Sequence, residues 1–281
     1  MSNIIRIFSK DNHFQHIEVL KRNREKRHRH KKIFVEGVSS INLALQNNWK
    51  FDALIYGQKH SLSHWANDVI RRADPKSVYE LSASLMEELS DKEEPSELLA
   101  LVEQKPTCLG DLPLKPNGLI VVCDRPGSHG NLGTSIRSAD AFGADALCIS
   151  GHGVDPFDPK VIRSSIGTIF SVPIISLGSP KEIAAFVARS IEGGMAYSVV
   201  GTDVNGRDTL GSFEFKGPIV LLMGNETVGL SKACQELCDV TVRIPIMGSA
   251  SSLNVSNALA ISLYEIQRQR RGPFPEVSDK S

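Results

Sequence analysis

Apolar and polar positions divide this chain into two stretches, each alternating short apolar runs with helix-period patterns. Before position 104, "IFVEG", "FDALIYG" and "SVYEL" carry the β-branched and aromatic residues of strands, and helical patterns cover 38–47 and 63–72. After position 118, apolar runs at 119–123, 146–149, 196–200, 219–223 and 240–244 alternate with helical patterns at 132–142, 159–166, 181–192, 231–237 and 255–270. Near-continuous apolar strands separated by helices predict a parallel sheet covered on both faces. Between the two stretches, "EQKPTCLGDLPLKPNG" has three prolines, two glycines and no period, and reads as a linker. The expected fold class is α/β: a small α/β domain at 1–104, a linker at 105–117, a parallel-sheet domain at 118–272 and a tail at 273–281.

Composition narrows the class. With 281 residues, 41% hydrophobic and 23% charged, the chain is an ordinary globular protein and not a disordered or fibrous one. No apolar run approaches the roughly 20 residues of a membrane helix, and "MSNIIRIFSKDNHFQ" lacks a signal-peptide core. No membrane partner and a cytoplasmic location are therefore expected. Cys108, Cys123, Cys148, Cys234 and Cys238 sit mostly in apolar surroundings and read as buried reduced thiols. Cys234 and Cys238 are spaced for one helix face, but no further ligand accompanies them, so no metal is expected.

A net charge of zero hides a strong separation. "KRNREKRHRHKK", 21–32, contains eight Lys or Arg against the single Glu25, whereas 80–103 contains eight acidic residues against the single Lys92. Such a basic run is either a solvated helix face or a polyanion contact. Its density favours the second, which makes Arg22, Arg24, Lys26, Arg27, Arg29 and Lys31 candidate contacts to a polyanion such as RNA.

The turn after the first strand of the second stretch, "DRPGSHGNLGTSIRSADAFGA", invites a nucleotide-loop reading that its spacing refuses. Gly127, Gly130 and Gly133 recur every third residue, no Walker lysine follows, and the next strand region, "ALCISGHG", ends without an acidic residue for a ribose. In the helix that follows, Leu132, Ile136, Ala139 and Phe142 form one apolar face with Arg137 roughly opposite. On spacing alone, Asn131 reads as a helix cap and Arg137 as the partner of Asp140.

Three further strand ends carry unusual chemistry: "VVGTD", "LLMGNETVGLS" and "RIPIMGSASSLNVSN". Each alone is ordinary turn chemistry. In order and spacing, "NLGTSIRSADAFGA", "LLMGNETVGLS" and "IPIMGSASSLNVSNALAISLYEIQRQ" together resemble the SpoU (TrmH) family of RNA ribose 2'-O-methyltransferases, within the SPOUT superfamily. The resemblance covers 118–270; more loosely, the residues before it are similar to the small substrate-binding domain of the ribosomal RNA branch, including thiostrepton-resistance-type enzymes.

That resemblance implies a C-terminal trefoil knot, a homodimer, S-adenosylmethionine as cofactor and RNA as substrate, ribosomal RNA ahead of transfer RNA. It also implies roles: Thr202, Gly224, Asn225, Ile244 and Leu253 hold the cofactor, and Asn131, Arg137, Glu226, Ser252 and Asn254 form the catalytic group. Arg137, always protonated and without an acceptor, suits a phosphate clamp better than a general base. One departure from many relatives is Ser128 and His129 where they carry Asp-Pro before the Gly-Asn pair. In the final helix, Val255, Leu259, Leu263 and Ile266 form an apolar stripe, and small Ala258, Ala260 and Ser262 suit close packing in a core or a dimer interface. The competing reading from another class is a non-catalytic RNA-binding or ribosome-assembly protein.

Overall fold

The computed structural model describes residues 4–58 and 61–271; the tail expected at 273–281 lies outside the described residues. The chain divides into two compact units, Met1–Pro106 with Asp155–Ser171, and Thr107–Val154 with Val172–Ser281.

The first unit is built on a mixed sheet of β1 (Ile4–Ile7), β2 (Lys32–Glu36), β3 (Phe51–Gly57), β4 (Ser77–Leu81) and β5 (Leu98–Glu103), in the order β1-β4-β3-β5-β2. β3 and β1 run parallel to β4, while β5 runs antiparallel to both β3 and β2. Helices α1 (Asn12–Arg22), α2 (Arg24–His30), α3 (Val38–Gln46), α4 (His64–Ala73) and α5 (Ala83–Leu89) complete it. Phe14, Ile17 and Leu20 of α1 pack with Phe34, Ile55 and Leu101 of the sheet in one buried cluster. β5, "LLALVE", is buried over five of its six residues, as a strand between two neighbours must be.

Asp155–Ser171, which the sequence boundary at 118 assigns to the second domain, packs with the first unit instead. Its helix (Pro159–Ser164) lies against β2, and the turn after it approaches α3 so closely that a Cβ on Gly167 would fall 2.5 Å from Ser40 Cα. Trp49 donates its ring N–H to the Phe170 carbonyl at 2.8 Å.

This packing corrects one of the expected RNA contacts. Arg27 is 1% exposed: its guanidinium pairs with Asp155 at 2.7 Å and with Asp158 at 3.2 Å, and donates to the Leu20 and Lys21 carbonyls. The side chain is a buried structural tie and offers nothing to a phosphate. Arg22 is exposed but pairs with Glu18 one turn back, Lys26 is half-buried, and Arg24, Arg29 and Lys31 are exposed.

The second unit carries a seven-stranded sheet, parallel throughout. Its strands are β6 (Leu119–Asp124), β7 (Ala146–Ser150), β8 (Ile174–Leu177), β9 (Ser198–Thr202), β10 (Asp208–Thr209), β11 (Ile219–Met223) and β12 (Val240–Arg243), in the order β10-β12-β9-β11-β6-β7-β8. β6, β7 and β11 are buried along their whole length, which their unbroken apolar sequences require.

Numbering the Pro159–Ser164 helix α7, the remaining helices are α6 (His129–Ala141), α8 (Lys181–Glu192), α9 (Lys232–Gln235) and α10 (Val255–Arg271). α6 and α10 pack together, and Gln267 of α10 donates to the Phe142 carbonyl at the end of α6, at 2.7 Å. Of the predicted stripe, Leu259, Leu263 and Ile266 are buried and Val255 is half-buried; Ser256, Ser262 and Gln267 are buried with them. Ile261 and Tyr264, on the other side of α10, stay 41% and 47% exposed. Among the described residues no helix is long and apolar enough to cross a membrane. All five cysteines are free thiols; Cys123, Cys148 and Cys234 are buried and Cys108 is exposed.

Candidate active site

A parallel sheet leaves its loops and helix N-termini at the carboxyl ends of the strands, and ligands collect there. In the second unit the ends of β6, β9, β11 and β12 are neighbours, and a cavity of about 550 Å³ opens among the chains leaving β9, β11 and β12 and the start of α10. That is the size of a site for a small organic molecule.

The loop after β11 is the most tightly built wall. Asn225 and Gly229 exchange two backbone hydrogen bonds of 3.0 Å, and Asn225 Oδ1 accepts from the Thr227 and Val228 N–H groups at 2.9 and 3.2 Å. Gly224 sits where the returning chain crosses: a Cβ there would overlap the Gly229 carbonyl carbon and lie 2.5 Å from Leu230 N. Only glycine fits this approach.

Glu226 projects from the tip of that loop to the entrance of α6. Its carboxylate accepts from the Gly127 and Ser128 N–H groups at 3.0 and 3.2 Å and from Asn131 Nδ2 at 3.1 Å. Burial raises its pKa, but the hydrogen bonds from its own backbone, Asn131, Gly127 and Ser128 outweigh that, and the group is held below its ordinary value. A carboxylate with both oxygens occupied by donors is ionised and a poor proton acceptor.

The role of Asn131 differs from the helix cap expected. Ser128 is the N-cap, its hydroxyl accepting the Asn131 N–H at 3.3 Å, so that Asn131 lies in the first turn and its side chain bonds other residues instead. Asn131 Oδ1 accepts from Asn254 Nδ2 at 3.0 Å, and Asn254 Oδ1 accepts from the Ser256 N–H and hydroxyl at 2.9 and 2.6 Å. A chain of hydrogen bonds of one polarity therefore runs from Ser256 through Asn254 and Asn131 to Glu226. Asn254 is both the N-terminal cap of α10 and a link across the mouth of the cavity.

The remaining predicted residues divide. Thr202, Gly224, Asn225, Ile244, Ser252 and Leu253 line the cavity with Asn131, Glu226 and Asn254. Thr202 donates its hydroxyl to the Leu222 carbonyl at 3.1 Å. Arg137 does not line the cavity of its own chain; it is exposed on α6 and makes no pair with Asp140. Asp203, Leu210 and Val242 also line the cavity and were not singled out from sequence; of these, Asp203 stands in the quoted "VVGTD" and was legible as polar chemistry at a strand end. Behind the wall, Asp124 and Arg125 brace the loop without reaching the cavity, and no sequence pattern marks them.

Comparison with known proteins places the chain in a family. The model of the SpoU rRNA Methylase family matches residues 118–264, and that of the SpoU L30e-like domain matches residues 11–100. The chain is 42% identical over 266 residues to the 23S rRNA (uridine(2479)-2'-O)-methyltransferase of Streptomyces viridochromogenes, covering 94% of this chain and 92% of that protein. The structure of the SpoU methyltransferase AviRb from the same organism, in complex with AdoMet, superposes with a TM-score of 0.85 at 41% identity, over 92% of this chain and 99% of that one. The AdoMet-bound rRNA methyltransferase from Sinorhizobium meliloti superposes with a TM-score of 0.84 at 27% identity, over 94% and 98% of the two chains.

Proposed function

The chain belongs to the SpoU rRNA Methylase family, and from that premise we infer that it is an S-adenosylmethionine-dependent RNA ribose 2'-O-methyltransferase, that its substrate is ribosomal RNA, and that transfer takes place at the cavity beside Asn131 and Glu226. The observation that carries the site assignment is the hydrogen-bond chain from Asn254 through Asn131 to Glu226, which closes one wall of a cavity whose lining mixes apolar side chains with polar ones.

The lining fits the cofactor. Leu210, Val242, Ile244, Ile246 and Leu253 offer apolar walls to an adenine ring, and among the described residues the charged lining is the carboxylates Asp203 and Glu226, with no Lys, Arg or His. Such a cavity favours a ligand carrying a sulfonium and an ammonium. Bound there, S-adenosylmethionine supplies an electrophilic methyl group, and the chain must hold a ribose hydroxyl in line with it. Thr202, Gly224, Asn225, Ile244 and Leu253 hold the cofactor in this reading. Glu226, ionised and saturated with donors, orients Asn131; Asn131, Ser252 and Asn254 fix the ribose. Arg137 clamps the phosphate beside the target and stabilises negative charge developing on the hydroxyl oxygen.

A homodimer belongs to the same reading. Ile261 and Tyr264 leave an apolar face on α10 beside α6, and Arg137, on α6 and outside its own chain's cavity, is then available to a second copy's. A trefoil knot in the C-terminal part is also proposed; the insertion of β12 between the consecutive strands β9 and β10 supports it. Ribosomal RNA is favoured because the likeness to a 23S rRNA methyltransferase extends over 94% of the chain, first unit included. Exposed Arg24, Arg29 and Lys31 of that unit supply phosphate contacts, and the cytoplasm is where such a substrate is met.

The test is incubation with labelled S-adenosylmethionine and separate unmodified rRNA and tRNA pools, followed by digestion and mass spectrometry of the labelled nucleosides. A 2'-O-methylated nucleoside from rRNA is expected; label confined to tRNA would overturn the substrate assignment.

A further inference from the structure

Arg125 lies in the turn between β6 and α6 with φ of 52°, in the left-handed region, although it is not glycine and is followed by Pro126. Both facts disfavour that conformation: a Cβ crowds it, and the residue before a proline is driven toward extended backbone. Strain of this kind persists where the surroundings over-determine it.

Here they do so completely. The Arg125 N–H donates to the Ser150 carbonyl at the end of β7, at 2.8 Å. Its Nε and Nη2 donate to the two carboxylate oxygens of Asp124, at 3.3 and 3.1 Å, and Nη2 donates also to the Gly229 carbonyl at 3.0 Å. Asp124 is 2% exposed and takes in addition the Ser231 N–H at 2.6 Å. The Arg125 carbonyl accepts from Asn225 Nδ2 at 2.8 Å. One residue thus ties together the ends of β6, β7 and β11.

The left-handed turn has a specific consequence. It presents the Arg125 carbonyl to Asn225, whose Oδ1 then holds the Thr227 and Val228 N–H groups, and the guanidinium grips the far end of the same loop at Gly229. The loop so shaped delivers Glu226 to Gly127, Ser128 and Asn131. Arg125 itself is absent from the cavity lining.

We propose that Arg125, held by Asp124, is a positioning residue that sets the shape of the Asn225–Gly229 loop and, through it, the cofactor wall and the placement of Glu226 against Asn131. Its consequence for cofactor binding rests on the methyl-transfer reading; its consequence for the loop does not.

Arg125→Gly tests it, because glycine accepts the left-handed conformation and keeps both backbone hydrogen bonds while removing the guanidinium. Hydrogen exchange and S-adenosylmethionine affinity are measured together on the whole protein. The Thr227, Val228 and Gly229 amides are expected to exchange about 10-fold faster or more, with β6, β7 and β11 at their wild-type rates. Cofactor affinity is expected to fall about 10-fold, with partial recovery on adding guanidinium ion but not ammonium. Unchanged loop exchange together with unchanged affinity would overturn the proposal, as would equal acceleration across the strands, which marks a general loss of stability. Arg125→Lys, which keeps the charge without the fork, is expected to lie between the two. Wild-type protein that binds no S-adenosylmethionine would instead refute the methyl-transfer reading, and the exchange comparison would still judge the loop.

Discussion

Asn254 donates its side-chain amide to Asn131 across 3.0 Å, joining two residues 123 positions apart in sequence and tying the start of α10 to the first turn of α6. Because Asn131 passes its own amide hydrogens to Glu226, neither asparagine is free to rotate. The pair holds a donor and an acceptor at a fixed place on the cavity wall, which is what alignment of a ribose hydroxyl requires.

Breaking that link separates binding from transfer. Asn131→Ala leaves the apolar lining untouched and is expected to lower the rate of methylation by about 100-fold, the scale of losing one oriented polar contact in a transition state. S-adenosylmethionine affinity should stay within about 3-fold of wild type. Titration calorimetry beside single-turnover kinetics checks both halves. Asn254→Ala removes a helix cap as well, so it should also cost about 1 kcal/mol of stability.

Glu226 makes an acid-side prediction. Its pKa in the folded protein lies below the ordinary value of 4.5, because the hydrogen bonds it accepts outweigh the opposing effect of burial. A group depressed on folding adds stability above its unfolded pKa and loses it as pH falls through the folded value, since the unfolded chain then binds more protons. The difference in melting temperature between wild type and Glu226→Gln should therefore be full above pH 4.5 and shrink below it. If Glu226 is no proton acceptor, the pH profile of methylation above neutrality should keep its shape in the same variant.

The basic run should behave as two kinds of residue. Arg27→Ala takes the guanidinium from the buried carboxylate of Asp155 and is expected to destabilise the first unit by about 3–5 kcal/mol, seen in chemical denaturation. Joint replacement of Arg27, Asp155 and Asp158 by apolar residues of similar volume should recover most of that. Arg29→Ala, on the exposed side of α2, should leave stability alone, weaken RNA binding and reduce its salt dependence.

Arg137 gives a test of charge against geometry. It is exposed on α6 without a partner among the described residues, so Arg137→Lys should melt with the wild type. A lysine keeps the point charge but not the two-pronged hydrogen bonding of a guanidinium to phosphate. RNA binding is expected to persist in part while methylation falls about 10-fold or more; full activity would remove the clamp role.

Much of the second unit was legible because its signals are local. β11 and α8 match their predicted ranges at both ends, since an unbroken apolar run between glycine and proline, or a four-and-three apolar spacing, is decided by neighbouring residues. The cavity residues were legible only through their conjunction across three strand ends. What stayed hidden depends on distant partners. Arg27 looks like any other arginine of "KRHRH" until Asp155, 128 residues away, closes on it. Asn131 read as a cap because the hydroxyl of Ser128, three residues earlier, competes for the same job. Arg125 carries no local sign of a left-handed turn; proline after it argues for the opposite. β5 was missed because its apolar run stands between an acidic stretch and a proline-rich linker, and its place between β3 and β2 is set by the sheet.

In the proposed reaction, the cavity walled by Gly224, Asn225 and Glu226 is where a ribose 2'-hydroxyl of ribosomal RNA is methylated. The most direct measurement is mass-spectrometric identification of methylated nucleosides in unmodified rRNA treated with wild-type protein or with Gly224→Val, whose side chain must collide with Gly229 and Leu230. A 2'-O-methylated nucleoside is expected with the wild type and none with the variant, at matched folding. Methylation on a base, or equal 2'-O-methylation by the variant, would contradict it.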